Sequence, residues 1–365
     1  MLFSFLLLGN STQANSTGEE SLFLLVSSYS DGTTAGISVY EFNIHTGDFT
    51  FISDIKQIEN PSYLVVSQDE KMIYSVNETQ EGAASAFKFD KSAGVLSLVN
   101  SQPAKGAHPC FINTDKGGNF IITANYTGGN LSIFPLDKDG SIEPLSVNID
   151  LNIPDTPVSH IHTLMFSPDE TRLLATDLGK DQIYSFRIKQ DGKDPFIELT
   201  PENITKLETG SGPRHLAFHP NGNYLYCISE LSGKVTVFAY KGGKPEAIQT
   251  VVSDTTQTSN RKGSADIHLT SDGKHLYSSN RLRADGIAMF SVNPENGQLT
   301  GIGYQSTGIH PRNFIITPND KFLLCANRNS NNIQIFEIDP ATGLLHDTGK
   351  VINLNQPVCL KWVRK

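Results

Sequence analysis

A repeat that runs through almost the whole chain is the sequence feature that most constrains the fold. Its clearest copy, residues 212–230, reads as an alternating strand, a polar turn and a second alternating strand. Each of the six copies keeps a spacing of eight residues from strand start to turn, and of eight more to the end of the second strand. The starts are Pro61, Pro109, Ile161, Pro213, Ser264 and Pro311, and the second-strand ends are Asn77, Asn125, Asp177, Ser229, Asn280 and Asn327.

A third strand follows each pair and carries one buried aromatic residue. Successive aromatics lie 47, 47, 52, 52, 52 and 46 residues apart: Tyr40, Phe87, Phe134, Phe186, Phe238, Phe290 and Phe336. Weaker strands such as 49–55 and 247–253 lie between the repeats and complete sets of four. Repeats of about 40–50 residues with four short strands each are typical of β-propellers. The sequence therefore predicts an all-β, seven-bladed β-propeller, whereas helical spacing of apolar residues between strands, which an α/β fold needs, is missing.

The two ends of the chain complement each other. Residues 21–27 resemble a second strand with no first strand before them, and residues 356–363 resemble a first strand with no successor. We expect the C-terminal strand to pair with the N-terminal blade and close the ring. Residues 21–365 are thus predicted to form a single propeller domain.

Residues 1–20 are left out of this fold prediction. Leu2–Leu8 is a short apolar run, but no Lys or Arg precedes it, so a secretory signal is incomplete. The segment is a leader or a possible signal segment, and two localisations stay open: the cytoplasm, which we expect, and export if residues 1–14 act as a signal.

Composition excludes several classes of partner. The 29 Lys and Arg against 38 Asp and Glu leave a net charge of −9, which argues against nucleic acid and anionic membranes. Nothing after residue 8 approaches the roughly 20 apolar residues that span a bilayer. The four cysteines show no zinc-type spacing, so we expect small buried thiols and no disulfide framework: Cys110, Cys227, Cys325 and Cys359.

Charged residues collect at one predicted rim of the ring. Because the second strand runs antiparallel to the first, the start of one and the end of the other lie at the same face. The starting positions include His162, Arg214 and Arg312, and the ending positions include Glu78, Glu230, Arg281 and Arg328. His160, His215, Asp266 and His310 are neighbours on the same rim. Crowding of cations in a chain of net negative charge is typical of an anion-binding or catalytic site.

Structural readings of the same residues stay open at this point. Arg214 and Glu230 fall on adjacent strands and can form a plain salt bridge, and Arg281 and Arg328 can be solvated loop charges. His160 and His162 share a strand face, as metal ligands do, but no further ligands at suitable spacing follow. Nucleophile-elbow, P-loop and dinucleotide-binding motifs are all missing from the sequence.

Several segments together resemble the seven-bladed lactonase family, which contains bacterial propeller-type 6-phosphogluconolactonases and fungal carboxy-muconate cyclases. The resemblance covers about residues 22–363 and is carried by HTLMFSPD (162–169), GPRHLAFHPN (212–221), SEL (229–231), ADIH (265–268) and NR (280–281). It implies the propeller fold and a catalytic set at His162, Arg214, Glu230 and Arg281, with Arg283 a second arginine near the last position.

These residues suit lactone hydrolysis. Arginines stabilise the negative charge that develops on the carbonyl oxygen, and His162 or Glu230 takes the proton of the attacking water. We expect a hydrolase that needs no metal or other cofactor and acts on a phosphorylated sugar lactone, with a monomer or weak homodimer as the assembly. The expected substrate-binding residues are His160, His215, Arg312, Arg328 and Glu78. The alternatives are a carboxy-muconate cycloisomerase-type lactonising enzyme, and a non-catalytic propeller that binds a sugar acid or a partner.

Overall fold

The computed structural model describes residues 21–189, 196–255 and 262–365, and leader residues 1–20 lie outside the described residues. The described chain contains seven four-stranded antiparallel sheets, one for each predicted blade. This confirms the predicted all-β, seven-bladed β-propeller. The only helical element in these ranges is a 3-10 turn at Arg328–Ser330.

The strands of the first four blades follow one another along the chain. In the first blade they are β1 (Ser21–Ser28), β2 (Ile37–Asn43) and β3 (Phe49–Ile55). The second blade contains β4 (Leu64–Val66), β5 (Met72–Asn77), β6 (Ala83–Asp90) and β7 (Val95–Pro103). The third contains β8 (Pro109–Thr114), β9 (Phe120–Asn125), β10 (Asn130–Pro135) and β11 (Val147–Asp150). The fourth contains β12 (Ile161–Phe166), β13 (Arg172–Asp177), β14 (Gln182–Arg187) and β15 (Asn203–Lys206).

The remaining blades repeat this order. The fifth contains β16 (Pro213–Phe218), β17 (Tyr224–Ser229), β18 (Lys234–Lys241) and β19 (Lys244–Val252). The sixth contains β20 (Ser264–Leu269), β21 (His275–Asn280), β22 (Gly286–Val292) and β23 (Leu299–Ser306). The seventh contains β24 (Pro311–Ile316), β25 (Phe322–Asn327), β26 (Asn332–Ile338) and β27 (Leu345–Asn353), and the last strand is β28 (Pro357–Arg364).

The repeat predicts most strand boundaries. All six second strands end at the predicted residue, and five of the six predicted first strands begin where expected. The second blade differs, because its inner strand begins at Leu64 instead of Pro61. There the Ser62 amide bonds back to the Asn60 carbonyl at 2.7 Å, and Asn60 has a φ of +43°. Because the Ser62 amide is used in this local turn, it is not available for pairing with β5, and β4 begins later.

The ring closes as the termini predict. β28 pairs with β1 in antiparallel register, with Leu24 opposite Trp362 and Val26 opposite Leu360. Four apolar side chains of β28 are at most 2% exposed: Val358, Cys359, Leu360 and Val363. The C-terminal strand is therefore the innermost strand of the first blade.

The core lies between neighbouring blades. Six of the seven anchor aromatics are at most 3% exposed and Tyr40 is 6% exposed, because each third strand has a neighbouring sheet packed on both faces. The four cysteines are buried, as predicted, and their thiols are free.

A β-bulge interrupts most inner strands near their start. Pro213 pairs with Ser229 but His215 pairs with Ile228, so Arg214 is an extra residue. Equivalent register shifts occur in β8, β12, β20, β24 and at the β1–β28 junction. A bulge leaves a residue outside the ladder and redirects its side chain. These shifts fall at the starts of the inner strands, where the sequence predicts the rim positions His162, Arg214 and Arg312.

Deletion of residues 356–365 is expected to open the ring. The loss of four buried apolar side chains removes about 6–12 kcal/mol of burial energy, which is comparable to the whole stability of a domain. We expect the truncated chain to lose cooperative thermal unfolding, or to melt more than about 10 °C lower, by circular dichroism.

Deletion of Arg364 and Lys365 alone is the matched control. Their ion pairs with Glu70 and Glu41 lie on the surface. Such pairs contribute at most about 1 kcal/mol, so the melting temperature should fall by less than about 4 °C. An unchanged melting temperature in the longer deletion would contradict closure by β28.

Candidate active site

A half-buried carboxylate lies between two buried arginines in the mouth of the ring. Oε2 of Glu230 lies 2.9 Å from Nε of Arg214 and 3.0 Å from Nη2 of Arg281. The Arg214 and Arg281 side chains are 2% and 5% exposed, and that of Glu230 is 25% exposed. The carboxylate is therefore the part of this triad that reaches furthest towards solvent.

Backbone carbonyls hold both guanidinium groups in place. Nη1 of Arg214 donates to the Ala265 carbonyl at 2.6 Å, and Nε of Arg281 donates to the Gly263 carbonyl at 2.7 Å. Both acceptors belong to the chain around the start of β20, so the fifth and sixth blades share the triad. Arg283, the second arginine that the sequence offers, is exposed.

The charges of the triad support one another. Burial alone would raise the pKa of the Glu230 carboxyl, but the positive charges of Arg281 and Arg214 hold that pKa below its ordinary value. Burial lowers the pKa of Arg281 to about 10 and that of Arg214 below its usual range, although Glu230 opposes both shifts. All three groups are therefore ionised at neutral pH.

Histidines and an aromatic ring form the adjoining wall. The His162 and His215 rings meet edge to face at 5.0 Å, and the His162 ring meets Tyr126 in the same way at 5.9 Å. Burial, followed by the charge of Arg214, holds the pKa of His162 well below its ordinary value, so the imidazole is neutral. Its Nδ1 is buried and has no hydrogen-bond partner among the described residues.

His160 also contacts Tyr126. The two rings stack at 4.6 Å, and Nδ1 of His160 lies 3.0 Å from the Tyr126 carbonyl oxygen. His160 and His162 thus both contact the Tyr126 ring, His160 by stacking and His162 edge to face. Within residues 21–189, 196–255 and 262–365, no group of three or more His, Cys, Asp or Glu side chains is placed to hold a metal ion.

A second charged cluster lies at the first, second and seventh blades. Nη2 of Arg312 is 3.5 Å from Oε2 of Glu78, and the Tyr29 hydroxyl donates to the same oxygen at 2.9 Å. The Tyr29 ring lies 4.6 Å from the guanidinium carbon of Arg328 and 5.5 Å from that of Arg312. Burial raises the pKa of Tyr29 to about 12, so its phenol remains a donor.

His310 connects the two clusters. Its Nε2 lies 3.5 Å from Nη1 of Arg281, and its carbonyl accepts the Arg328 amide at 3.0 Å. Burial, together with the charge of Arg281, lowers the pKa of His310 to about 3. The mouth therefore contains four arginines, and His162 and His310 in it are neutral.

Two rim residues lie deeper than the sequence analysis expected. The His215 ring is 5% exposed and reaches down to Asp266, which is 2% exposed. Both residues line the cavity that opens on the opposite face of the ring. The expectation that Asp266 lies on the rim of the mouth is therefore wrong: β20 has a register shift between Ser264 and Ile267, and the carboxylate bonds to His215 and Asn313 of the neighbouring inner strands.

Tyr29 is a residue of the mouth that was not predicted from the sequence. It occupies the position that Glu78 and Glu230 occupy in their own blades, namely the residue just after the second strand. The series of strand-end positions, continued through the composite first blade, would have identified it. His310 was predicted only as a neighbour on the rim.

Comparisons with known proteins decide the family. The model of the seven-bladed β-propeller lactonases matches residues 23–362. This chain belongs to that family. The part of the chain that the structure describes contains no helix long and apolar enough to cross a bilayer.

Relatives resemble almost the full length of the chain. A 6-phosphogluconolactonase of Formosa agariphila is 39% identical over 345 residues, which is 91% of this chain and 97% of that protein. A 6-phosphogluconolactonase of Bacillus subtilis is 32% identical and covers 93% of this chain and 98% of its own. The solved periplasmic gluconolactonase of Pseudomonas aeruginosa is 30% identical, with a TM-score of 0.88 over 94% of this chain and 99% of its own.

The buried histidines predict how stability depends on pH. His310 has a pKa of about 3 in the folded protein and His215 one of about 4, mainly because both are buried. In the unfolded chain both take up protons near pH 6.5. The unfolded state therefore binds more protons below pH 6.5, and the stability that is present above that pH is lost as pH falls towards 3–4.

We expect the free energy of unfolding, measured in urea, to fall as pH decreases from 6.5 to 4.5. His310→Asn should lower the proton uptake on unfolding by up to one proton, and Asn tolerates the φ of +66° at this position. His346→Asn, at an exposed residue, is the control and should keep the wild-type slope. Parallel profiles for wild type and His310→Asn would contradict a neutral buried His310.

Proposed function

We propose that this chain hydrolyses a phosphorylated sugar lactone of the 6-phosphogluconolactone type in the mouth of the propeller. The observation that supports this function most strongly is the Glu230 carboxylate, which is held between Arg214 and Arg281. It lies next to a second cluster with two more arginines. The names of the Formosa and Bacillus relatives support the assignment.

The reaction has a simple balance. The oxygen of water forms a bond to the lactone carbonyl carbon, and a base takes one water proton. The bond between that carbon and the ring oxygen then breaks, and the ring oxygen leaves as an alcohol with one proton. The product is the open-chain acid, so neither an oxidant nor a second substrate is needed.

Arg214 and Arg281 are assigned to the carbonyl oxygen. Negative charge develops there in the tetrahedral intermediate, and donors that are already fixed stabilise it without reorganisation. The Ala265 and Gly263 carbonyls and Glu230 fix both guanidinium groups. Nη2 of Arg214 takes part in none of these contacts, so it is the donor that we assign to substrate.

His162 is assigned as the base. The ring is neutral at physiological pH and has a free lone pair, although burial and the charge of Arg214 make it a weaker base than an ordinary histidine, and its Nδ1 has no partner among the described residues. Oε2 of Glu230 is already engaged by two arginines, so Glu230 is assigned to orient them. The imidazolium formed at His162 would face the oxyanion that forms at the same time.

Substitutions in the triad test this assignment. Arg214→Lys keeps a positive charge but loses the planar fork, and we expect kcat/KM for 6-phosphogluconolactone to fall at least about 100-fold. His162→Gln should lower kcat by about 100- to 10,000-fold. Rates are measured by acid release with EDTA present, and folding by circular dichroism.

Arg187→Ala is the matched control, because Arg187 lies on the third strand of the fourth blade and pairs with Glu202 at the surface. It should keep wild-type rates. Wild-type turnover in Arg214→Lys, or in Glu230→Ala, would contradict the site. Turnover of a carboxylated muconate in place of the lactone would favour the cycloisomerase instead.

The second cluster is assigned to the phosphate. Four arginines against Glu78 and Glu230 leave an excess of two positive charges, 4 − 2, in the mouth. A phosphate monoester carries about −1.5 to −2 at neutral pH and matches that excess. Arg328 has no ion pair within residues 21–189, 196–255 and 262–365, and its buried Nε has no hydrogen-bond partner there. Its guanidinium is thus available to an anion.

Arg328→Met should weaken binding of the phosphorylated substrate much more than binding of the unphosphorylated one. A charge-assisted hydrogen bond is worth about 1.5–3 kcal/mol, so KM for 6-phosphogluconolactone should rise about 10- to 100-fold. KM for gluconolactone should change less than about 3-fold. Equal losses for both substrates would contradict a phosphate site at Arg328. Gluconolactone is the second substrate because the Pseudomonas relative is named for it.

A further inference from the structure

Asp266 is a buried carboxylate among the inner strands of the ring. It lies in β20 and is 2% exposed. Burial alone would raise its pKa, but the neighbouring histidines hold it well below its ordinary value, so the group is charged. Its two oxygens accept hydrogen bonds from five groups, which are Nδ1 of His215, Nε2 of His268, Nδ2 of Asn313 and the amides of Ile267 and Phe314.

The contact with His215 determines where that imidazole carries its proton. Nδ1 of His215 lies 2.7 Å from Oδ1 of Asp266. An ionised carboxylate can only accept, so Nδ1 must hold the hydrogen. Burial and Arg214 lower the pKa of His215 to about 4, which keeps the ring neutral and leaves Nε2 without a hydrogen.

Nε2 of His215 faces the catalytic arginine. It lies 3.2 Å from Nη1 of Arg214, and with a free lone pair it accepts that N–H. In the other tautomer two N–H groups would point at each other, and the guanidinium would have to move away. Asp266, His215 and Arg214 therefore form one chain from the buried carboxylate to the mouth.

We propose that Asp266 is a positioning residue for the lactonase reaction: by fixing the tautomer of His215, it fixes the Arg214 guanidinium against Glu230 and the lactone carbonyl. This inference rests on the proposed function, since it takes Arg214 to contact the carbonyl oxygen. It assigns His215 to holding Arg214, where the sequence analysis expected substrate binding.

The hydrogen bond from His268 to Asp266 provides a control. Oδ2 of Asp266 lies 3.0 Å from Nε2 of His268, whose side chain is 36% exposed and lines the opposite-face cavity of about 450 Å³. His268 touches the same carboxylate but does not lead to Arg214. Exchange of either histidine for Phe removes one donor to Asp266 and keeps an aromatic ring.

The positioning role predicts a loss in kcat with little change in KM. Asp266→Asn offers one acceptor and one donor to a cluster of five donors, so it can no longer hold His215 in one tautomer. We expect kcat to fall about 100-fold, as for the loss of one oxyanion donor, and KM to change less than about 3-fold. His215→Phe should match that loss, whereas His268→Phe should stay within about 3-fold of wild type.

The double variant Asp266→Asn/His215→Phe tests whether one residue acts through the other. Its kcat should be no more than about 3-fold below that of His215→Phe alone. A multiplied loss, an equal loss in His268→Phe, or a folded Asp266→Asn enzyme with wild-type kcat would each overturn the proposal.

Nitrogen NMR of the wild-type imidazoles gives a readout that does not need activity or a folded variant. We expect His215 to show a protonated Nδ1 and a bare Nε2 at neutral pH. A protonated Nε2 would overturn the proposal even if Asp266→Asn fails to fold. If wild type opens no lactone while His215 shows the expected tautomer, the proposed function fails and the link from Asp266 to His215 stands.

Discussion

Pairing of the last strand with the first is the constraint on which the rest of the structure depends. The mouth combines Tyr29 from the first blade, Glu78 from the second, and arginines from the fifth, sixth and seventh. No blade contains more than a part of it. Only a closed ring holds these parts at ångström distances, because an open array leaves its end blades free to separate.

Bulges and electrostatics then convert the ring into a site. A regular ladder would use every residue of an inner strand for pairing, whereas the bulge at Arg214 frees one residue to face Glu230. A net charge of −9 makes the protein as a whole repel anions, yet the mouth gathers four arginines. Glu230 pairs with Arg214 and Arg281, and Glu78 pairs with Arg312, so carboxylates of the mouth hold three of these cations in place.

The fold can be predicted from the sequence because each copy of the repeat specifies the strands and turns of one blade. Second-strand ends at Asn77 or Ser229 follow from spacing, since turn residues and strand length set the register of a hairpin. The shorter start of β4 does not follow, because it depends on a local turn at Asn60. The pairing of Glu230 with Arg281, the contact of Tyr29 with Arg328 and the depth of Asp266 depend on the angle between blades and on the bulges, which no single repeat specifies.

A crystal structure with 6-phosphogluconate, the product of the proposed reaction, would show which residues of the mouth bind the substrate. We predict that the carboxylate lies on Arg214 and Arg281 and the phosphate on Arg328, with His162 next to the carboxylate carbon. Product bound only in the cavity of the opposite face, or an empty mouth in crystals that hold the product elsewhere, would contradict it.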